Sequence, residues 1–439
     1  MYWNKDAETM PREKLEVVQL QRLRETADRA YRNVPFYRQA MDDRGVNPED
    51  IRSLTDVTQL PLTTKQDFRD TYPFGLLATP MDQVVRIHAS SGTTGKPVTA
   101  YYTRNDIDTW ANLMARVFVS GGIAKGDLVQ VAYGYGLFTG GLGAHDGAQL
   151  LGAAVVPASV GNSRRQILLI QDLGVTGLAC TPSYALVIGE TAREQGVDLA
   201  KTSKLRVGFF GAEPCSEPMR KEIEECLGLK ALDLYGLTEV MGPGVAHECM
   251  NQRGLHLAED HFLVEVIDPE TGHALPPGQR GELVLTTLTK EAMPVLRYRT
   301  RDIVSLYPDT CPCGRGFVRM TKITGRTDDM LIIKGVNVFP SQIEDALLRV
   351  DGLEPHYQIV VDRESHLDDL EVWVEVAEDI FTDEMAQMES LELKVRAELE
   401  SVLGIWTKVR LVEPGSLERS EGKAKRVIDR RDLGLKGGR

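Results

Sequence analysis

The chain is poor in cysteine, with six in 439 residues, too few for a disulfide framework. It has no apolar stretch approaching the roughly 20 residues of a membrane helix. Its start, Met1-Tyr2-Trp3-Asn4-Lys5-Asp6, lacks the basic-then-apolar layout of a signal peptide, so a cytoplasmic location is expected. An excess of positive charge is missing too: 51 Lys and Arg stand against 64 Asp and Glu, a net charge of −13. That argues against broad nucleic-acid binding but not against a local basic site. Internal repeats and low-complexity tracts are also absent. What is present, 42% hydrophobic and 26% charged residues, is the composition of a soluble globular protein. The length exceeds one ordinary core, so at least two domains are expected.

Residues 12–44 look helical, with an interruption at Asn33-Val34-Pro35. From about residue 84, short Val/Ile/Ala/Gly strands alternate with amphipathic stretches. Strands are expected near 84–89, 129–133, 153–156, 178–180, 205–210 and 232–234, and helices near 105–119, 163–173, 183–195 and 216–227. Such alternation implies parallel βαβ units with helices on both faces. After about 260, Phe262–Ile267 and Gly281–Thr286 flank a turn at Asp268-Pro269-Glu270-Thr271-Gly272, which reads as a hairpin of a smaller β subdomain. The fold class expected is α/β: a large N-terminal domain of mostly parallel sheets flanked by helices (1–326), with that β subdomain. A small, mobile α+β C-terminal domain (327–439) follows, with a strand at 370–376 and a helix at 382–402.

Ligands on such sheets collect in loops at the carboxyl ends of strands. One loop there is Ser90-Ser91-Gly92-Thr93-Thr94-Gly95-Lys96-Pro97. Small residues, free N–H groups, hydroxyls and one Lys suit a phosphate chain. The Walker A pattern does not fit, because only two residues separate Gly92 from Gly95 and Pro97 follows the Lys. Tyr235-Gly236-Leu237-Thr238-Glu239 can serve a phosphate and Mg²⁺, which prefers one or two carboxylates plus phosphate oxygens; it also reads as a turn with a capping Thr. Asp302 follows three arginines, and a carboxylate can accept both hydroxyls of a ribose. Gly422-Lys423 sits in a basic tail, where Lys is a mobile point charge for a phosphate or simply solvated.

Taken in order, these segments resemble the core motifs of the adenylate-forming enzymes. Within them the chain is most similar to the phenylacetate–CoA ligases. The features that narrow it are Tyr31-Arg32-Asn33-Val34-Pro35-Phe36-Tyr37, Asp260-His261-Phe262, Leu288-Thr289-Lys290-Glu291-Ala292, and the run Ile332 to Pro340. The resemblance implies ATP-dependent formation of an acyl-adenylate and then of a CoA thioester, from an aryl acid, ATP with Mg²⁺, and CoA, by a homodimer. It implies that Ser90, Ser91, Gly92, Thr93, Thr94, Gly95 and Lys96 hold the β/γ-phosphates, that Thr238 contacts the α-phosphate and that Glu239 binds Mg²⁺. Gly211, Ala212, Glu213, Pro214, Tyr235 and Gly236 would border adenine. Asp302 would bind the ribose with Arg326 beside it, Lys423 would be the adenylation lysine, and Asp328 the hinge. A relative with another acceptor, or a non-catalytic acyl-adenylate or nucleotide sensor, shares much of this pattern; Lys423 and Glu239 favour an enzyme.

The segment Tyr133–Gly141 combines aromatics with glycine. Aromatics supply flat walls and glycine leaves room, which suits an aryl ring; a buried strand-to-helix turn is the other reading. With the resemblance, Tyr135, Phe138, Gly140 and Gly141 become the acid pocket. Finally, Cys311-Pro312-Cys313 and His247-Glu248-Cys249 offer four ligands in two close pairs, which suits a structural tetrahedral Zn²⁺; reduced cysteines in turns are the other reading. His256 could replace His247.

Overall fold

A computed structural model describes residues 1–90, 97–307, 309–323, 325–327, 331–333, 336–364, 367–381, 385–419 and 426–430. The expected site residues Ser91, Gly92, Thr93, Thr94, Gly95, Lys96, Asp328 and Lys423 lie outside them. The helix Arg12–Asn33 stops at Val34, and Pro35 opens the helix Pro35–Asp42. Proline is tolerated at a first helical position, where its missing N–H would have had no partner, but not in the interior. That accounts for the interruption.

The strand that leads to the 90–97 loop, β1 (Arg86–Ala89), pairs antiparallel with β2 (Thr99–Tyr102) in a hairpin of its own. The alternation expected from residue 84 therefore becomes a parallel sheet only with the next strands. These are β3 (Leu128–Val131), β4 (Ala154–Val156), β5 (Gly177–Cys180), β6 (Val207–Gly211) and β7 (Lys230–Leu237), paired parallel in the order 4-3-5-6-7. The chain then doubles back through β8 (Gly242–His247) and β9 (Leu255–Leu257). It leaves to form a three-stranded antiparallel sheet of β10 (Phe262–Ile267), β11 (Gly281–Thr287) and β12 (Tyr298–Val304), and returns as β13 (Leu306–Tyr307) and β14 (Arg319–Met320). Among the described residues the main sheet has nine strands, parallel on one side of β7 and antiparallel on the other.

Helices Arg104–Ser120, Ser163–Leu173, Pro182–Glu194 and Glu217–Leu227 fall where the periodicity put them. Helix Thr139–Leu151 does not announce itself in the sequence, because glycine is a poor helix former. Its glycines serve packing. A Cβ on Gly143 would stand 2.4 Å from the Trp110 ring and one on Gly147 2.2 Å from Met114 Cβ, so only glycine lets this helix lie against Arg104–Ser120.

Beyond residue 330 come β15 (Leu331–Ile333), β16 (Val336–Val338), helix Pro340–Leu347, β17 (Leu353–Glu364), β18 (Leu367–Val376), helix Met385–Leu403, β19 (Lys408–Val412) and β20 (Val427–Asp429). β15 and β16 pair as a two-stranded sheet, and β17 to β20 build a separate mixed sheet, order 19-18-17-20, over an apolar core that includes Ile343, Ile359, Val372, Val395 and Leu399. His356 and Arg419 of this region meet Glu190 on helix Pro182–Glu194, the arginine at 3.5 Å. Among the described residues no helix is long and apolar enough to cross a membrane.

Candidate active site

The carboxyl ends of β6 and β7 lie side by side, and both need glycine. A Cβ on Gly211 would stand 2.1 Å from Leu234 O, and one on Gly236 2.0 Å from Gly242 O. Ala212 follows with a positive φ of 71°, a conformation that costs a non-glycine residue free energy and clusters at functional sites. Glu213 is tied back by the Ser183 hydroxyl, which donates to its carboxylate at 2.6 Å; Pro214 completes the loop.

Tyr235 leads from β7 to Asp302 on β12. Its hydroxyl donates to Asp302 Oδ2 at 2.6 Å, and Arg326 Nη1 donates to Oδ1 at 2.7 Å. Burial and the adjacent carboxylate push the Tyr235 phenol well above its ordinary range, so it stays a donor. Residues 67 and 24 positions away from Asp302 thus converge on one buried carboxylate.

Two and three residues beyond Gly236, Thr238 and Glu239 are both buried. Thr238 Oγ1 lies 3.4 Å from the hydroxyl of Thr139, the first residue of helix Thr139–Leu151. The turn before that helix carries the aromatic residues. Phe138 packs so closely on Gly140 that a Cβ there would sit 2.5 Å from its ring, and a Cβ on Gly141 would stand 3.2 Å from Tyr135 Cγ. The Tyr135 hydroxyl is 3.2 Å from His145 Nδ1. The same turn holds the entry to the 90–97 loop: Leu137 O accepts from Ala89 N and lies 2.9 Å from His88 Nδ1. Ser90 N donates to Val98 O, and its buried hydroxyl has no hydrogen-bond partner among the described residues.

Sequence reasoning gave no role to two lysines here. Lys65 Nζ approaches the Glu239 carboxylate at 3.8 Å. Lys290 is 1% exposed, with Nζ 4.3 Å from the Tyr102 ring centroid and no hydrogen-bond partner among the described residues. Burial pushes its amine down to about 8, against the pull of Asp106 and Glu239. Its segment, Leu288–Ala292, is one of those that carry the family resemblance, and that was the only available signal.

The cysteine–histidine expectation needs a correction. Cys249, Cys311 and Cys313 do converge, but the imidazole among them is that of His256, not His247. The β8–β9 register sets His247 opposite His256. Only His256 reaches the cysteines, with Nε2 3.4 Å from Cys313 Sγ. His247 is fully buried, and neither ring nitrogen has a hydrogen-bond partner among the described residues.

The AMP-binding enzyme profile matches residues 27–288, and that of the AMP-binding enzyme C-terminal domain matches 335–431. Together with the fold, these matches define the class as adenylate-forming enzymes. The phenylacetate-coenzyme A ligase of Escherichia coli (strain K12) is 53% identical over 428 residues, 97% of each chain. That of Thermus thermophilus is 48% identical over 98% of this chain and 100% of its own. The chain belongs to the phenylacetate-coenzyme A ligase family, and its activity is that of an ATP-dependent, AMP-forming acid–CoA ligase. Among solved structures, 2-hydroxyisobutyryl-CoA ligase in its postadenylation state aligns with a TM-score of 0.93 at 32% identity, covering 98% of this chain and 93% of that one. The same enzyme in its thioesterification state, with equal coverage and 33% identity, gives 0.73. The arrangement of this chain is closer to the first state.

Proposed function

We propose that the acid is phenylacetate, and that the cleft between the Tyr135–Thr139 turn and the β6–β7 loops first makes its adenylate and then its CoA thioester. A carboxylate oxygen attacks the α-phosphorus while the bond to the β-phosphate oxygen breaks and pyrophosphate leaves. The CoA sulfur then attacks the acyl carbon, and the bond to AMP breaks. The observation that carries this reading is the contact between Thr238 and Thr139. It sets a proposed α-phosphate ligand against the helix whose entry turn carries Tyr135 and Phe138, so an aryl acid there would meet the phosphorus it must attack. Proximity of this kind can supply several kcal/mol of a barrier.

In the same reading Ser90 through Lys96 hold the β- and γ-phosphates, Gly211–Pro214 and Tyr235 border the adenine, Asp302 accepts the ribose hydroxyls, and Arg326 braces Asp302. Glu239 suits Mg²⁺ because it is a buried carboxylate whose nearby cation, Lys65, sits at a loose 3.8 Å. A bound Mg²⁺ would neutralise charge on the departing pyrophosphate. Lys423 supplies a cation for the reacting phosphate. Residues 1–326 and 327–439 act as separate domains, a division supported by the separate apolar core beyond Leu331, and a cytoplasmic homodimer follows from the family resemblance. No step calls on zinc, so a metal at the Cys–His cluster serves the fold.

A panel of acids assayed for CoA-dependent AMP release tests the pocket. Phenylacetate should exceed octanoate and acetate in kcat/KM, with benzoate or indoleacetate as nearest rivals, since each poorly filled or clashing methylene shifts discrimination by roughly 1–3 kcal/mol. Phe138→Ala should flatten that ranking and leave the KM for ATP nearly unchanged. A best substrate of acetate or a long-chain fatty acid would sink the pocket assignment and spare the nucleotide site.

The hinge is tested separately. Asp328→Pro fixes φ and should leave pyrophosphate exchange largely intact while CoA-dependent turnover drops. Equal loss of both half-reactions would place the hinge elsewhere.

A further inference from the structure

We infer that this enzyme carries one structural Zn²⁺, held by Cys249, His256, Cys311 and Cys313 at the antiparallel edge of the main sheet. The inference stands apart from the ligase reading, because none of these side chains belongs to the nucleotide or acid site.

Three thiols and one imidazole present one donor atom each, all within 4.8 Å of one another. Cys249 Sγ and Cys311 Sγ are 3.7 Å apart, and Cys313 Sγ and His256 Nε2 are 3.4 Å apart. Tetrahedral zinc with Zn–S of about 2.3 Å and Zn–N of about 2.0–2.1 Å sets S···S near ~3.8 Å and S···N near ~3.6 Å. Both observed separations fall within a few tenths of an ångström of those values. The donors are borderline to soft, which favours zinc over magnesium or calcium. Three of the four residues are buried, so little solvent reaches the cluster, as in closed structural sites.

The ligands come from two connections. Cys249 sits just past β8 and His256 on β9, whereas Cys311 and Cys313 lie between β13 and β14. The β9–β14 ladder, which sets His256 opposite Arg319, already brings the two connections together, and a metal would lock their cysteines onto it. The Cys313 loop also anchors the amino-terminal segment. Tyr2 donates to Cys313 O at 2.7 Å, and Arg315 pairs with Glu8 at 2.8 Å, both of the latter side chains being almost fully buried. Removing the metal should therefore loosen this edge and the first residues together. On the other side β8 pairs with β7, His247 opposite Leu234, and Leu234 precedes Tyr235. The site lies one strand from the nucleotide cleft and supports it without entering it.

Metal analysis of protein purified without added metal should find about one zinc per chain, released when the thiols are blocked. Replacing Cys311 and Cys313 together by Ser should bring the content to under about a tenth of that, since zinc sites of this kind depend on their thiolates. Melting temperature should fall more than the kcat of the surviving folded enzyme. Should that variant fail to fold, the single variants His256→Asn and His247→Asn still decide: the first should lose zinc and the second keep it. Wild-type protein reloaded with Co²⁺ should show the intense visible bands of tetrahedral thiolate ligation. A metal-free wild-type preparation with unchanged stability would overturn the inference. So would zinc that persists without Cys311 and Cys313, or a dependence on His247 instead of His256.

Discussion

Lys423→Ala should lower the rate of pyrophosphate exchange by roughly 10²–10³-fold, the range seen when one transition-state charge contact is removed. Thioester formation from supplied phenylacetyl-adenylate should stay within a few-fold of wild type. The asymmetry follows from where charge develops. Negative charge builds on the phosphorus oxygens and the leaving pyrophosphate during adenylation, and an ammonium there would stabilise it. In the second half-reaction the attack is on carbon, and the phosphate charge of AMP is already present in the ground state. A contact made equally in ground and transition states does not raise the rate of that step. Normal exchange in the mutant would remove Lys423 from the adenylation role. Equal damage to both half-reactions would assign it to the fold.

Asp302→Ala should raise the KM for ATP and cut kcat/KM for ATP by roughly 10²- to 10⁴-fold, while the KM for phenylacetate moves little. Hydrogen bonds to a charged acceptor contribute ~1.5–3 kcal/mol each, and a ribose would offer two. The carboxylate is buried, receives the Tyr235 hydroxyl on one oxygen and Arg326 on the other, and so is held in one orientation before a nucleotide arrives. Its removal also takes one ion-pair partner from Arg326, a cost that appears in the melting temperature and must be read separately. Asp302→Asn keeps the volume and serves as the control; it should lose most of the affinity with less loss of stability. If both variants bind ATP normally, the ribose assignment fails, and the Tyr235–Asp302–Arg326 triad is only a brace between β7, β12 and the segment after β14.

Local chemistry accounts for what could be read in advance. Helix Ser163–Leu173 was legible to the residue, because Asn162 caps it with its side chain and Gly174 ends it at a positive φ. The 90–97 loop, the Tyr235–Glu239 stretch and the Arg-rich approach to Asp302 are each contiguous, so they can be read without a fold, and their order carried the family. Contacts across the fold decided the rest. Helix Thr139–Leu151 was hidden because its glycines answer to Trp110 and Met114, not to helix propensity. The β1–β2 hairpin was hidden because a single strand does not declare its partner. Spacing to Cys249 puts His247 ahead of His256 in sequence; strand register sets the two face to face, and side-chain reach gives the cysteines to His256 instead. Lys290 has an ordinary place in the chain and becomes a desolvated amine, under the pull of Asp106 and Glu239, only when the loop after β11 sets it against the Tyr102 ring of β2. The sequence by itself determined which groups the enzyme owns and in what order, because motif and cap chemistry are local. The tertiary structure alone decided which of them meet, because burial, register and close approach depend on residues tens to hundreds of positions apart.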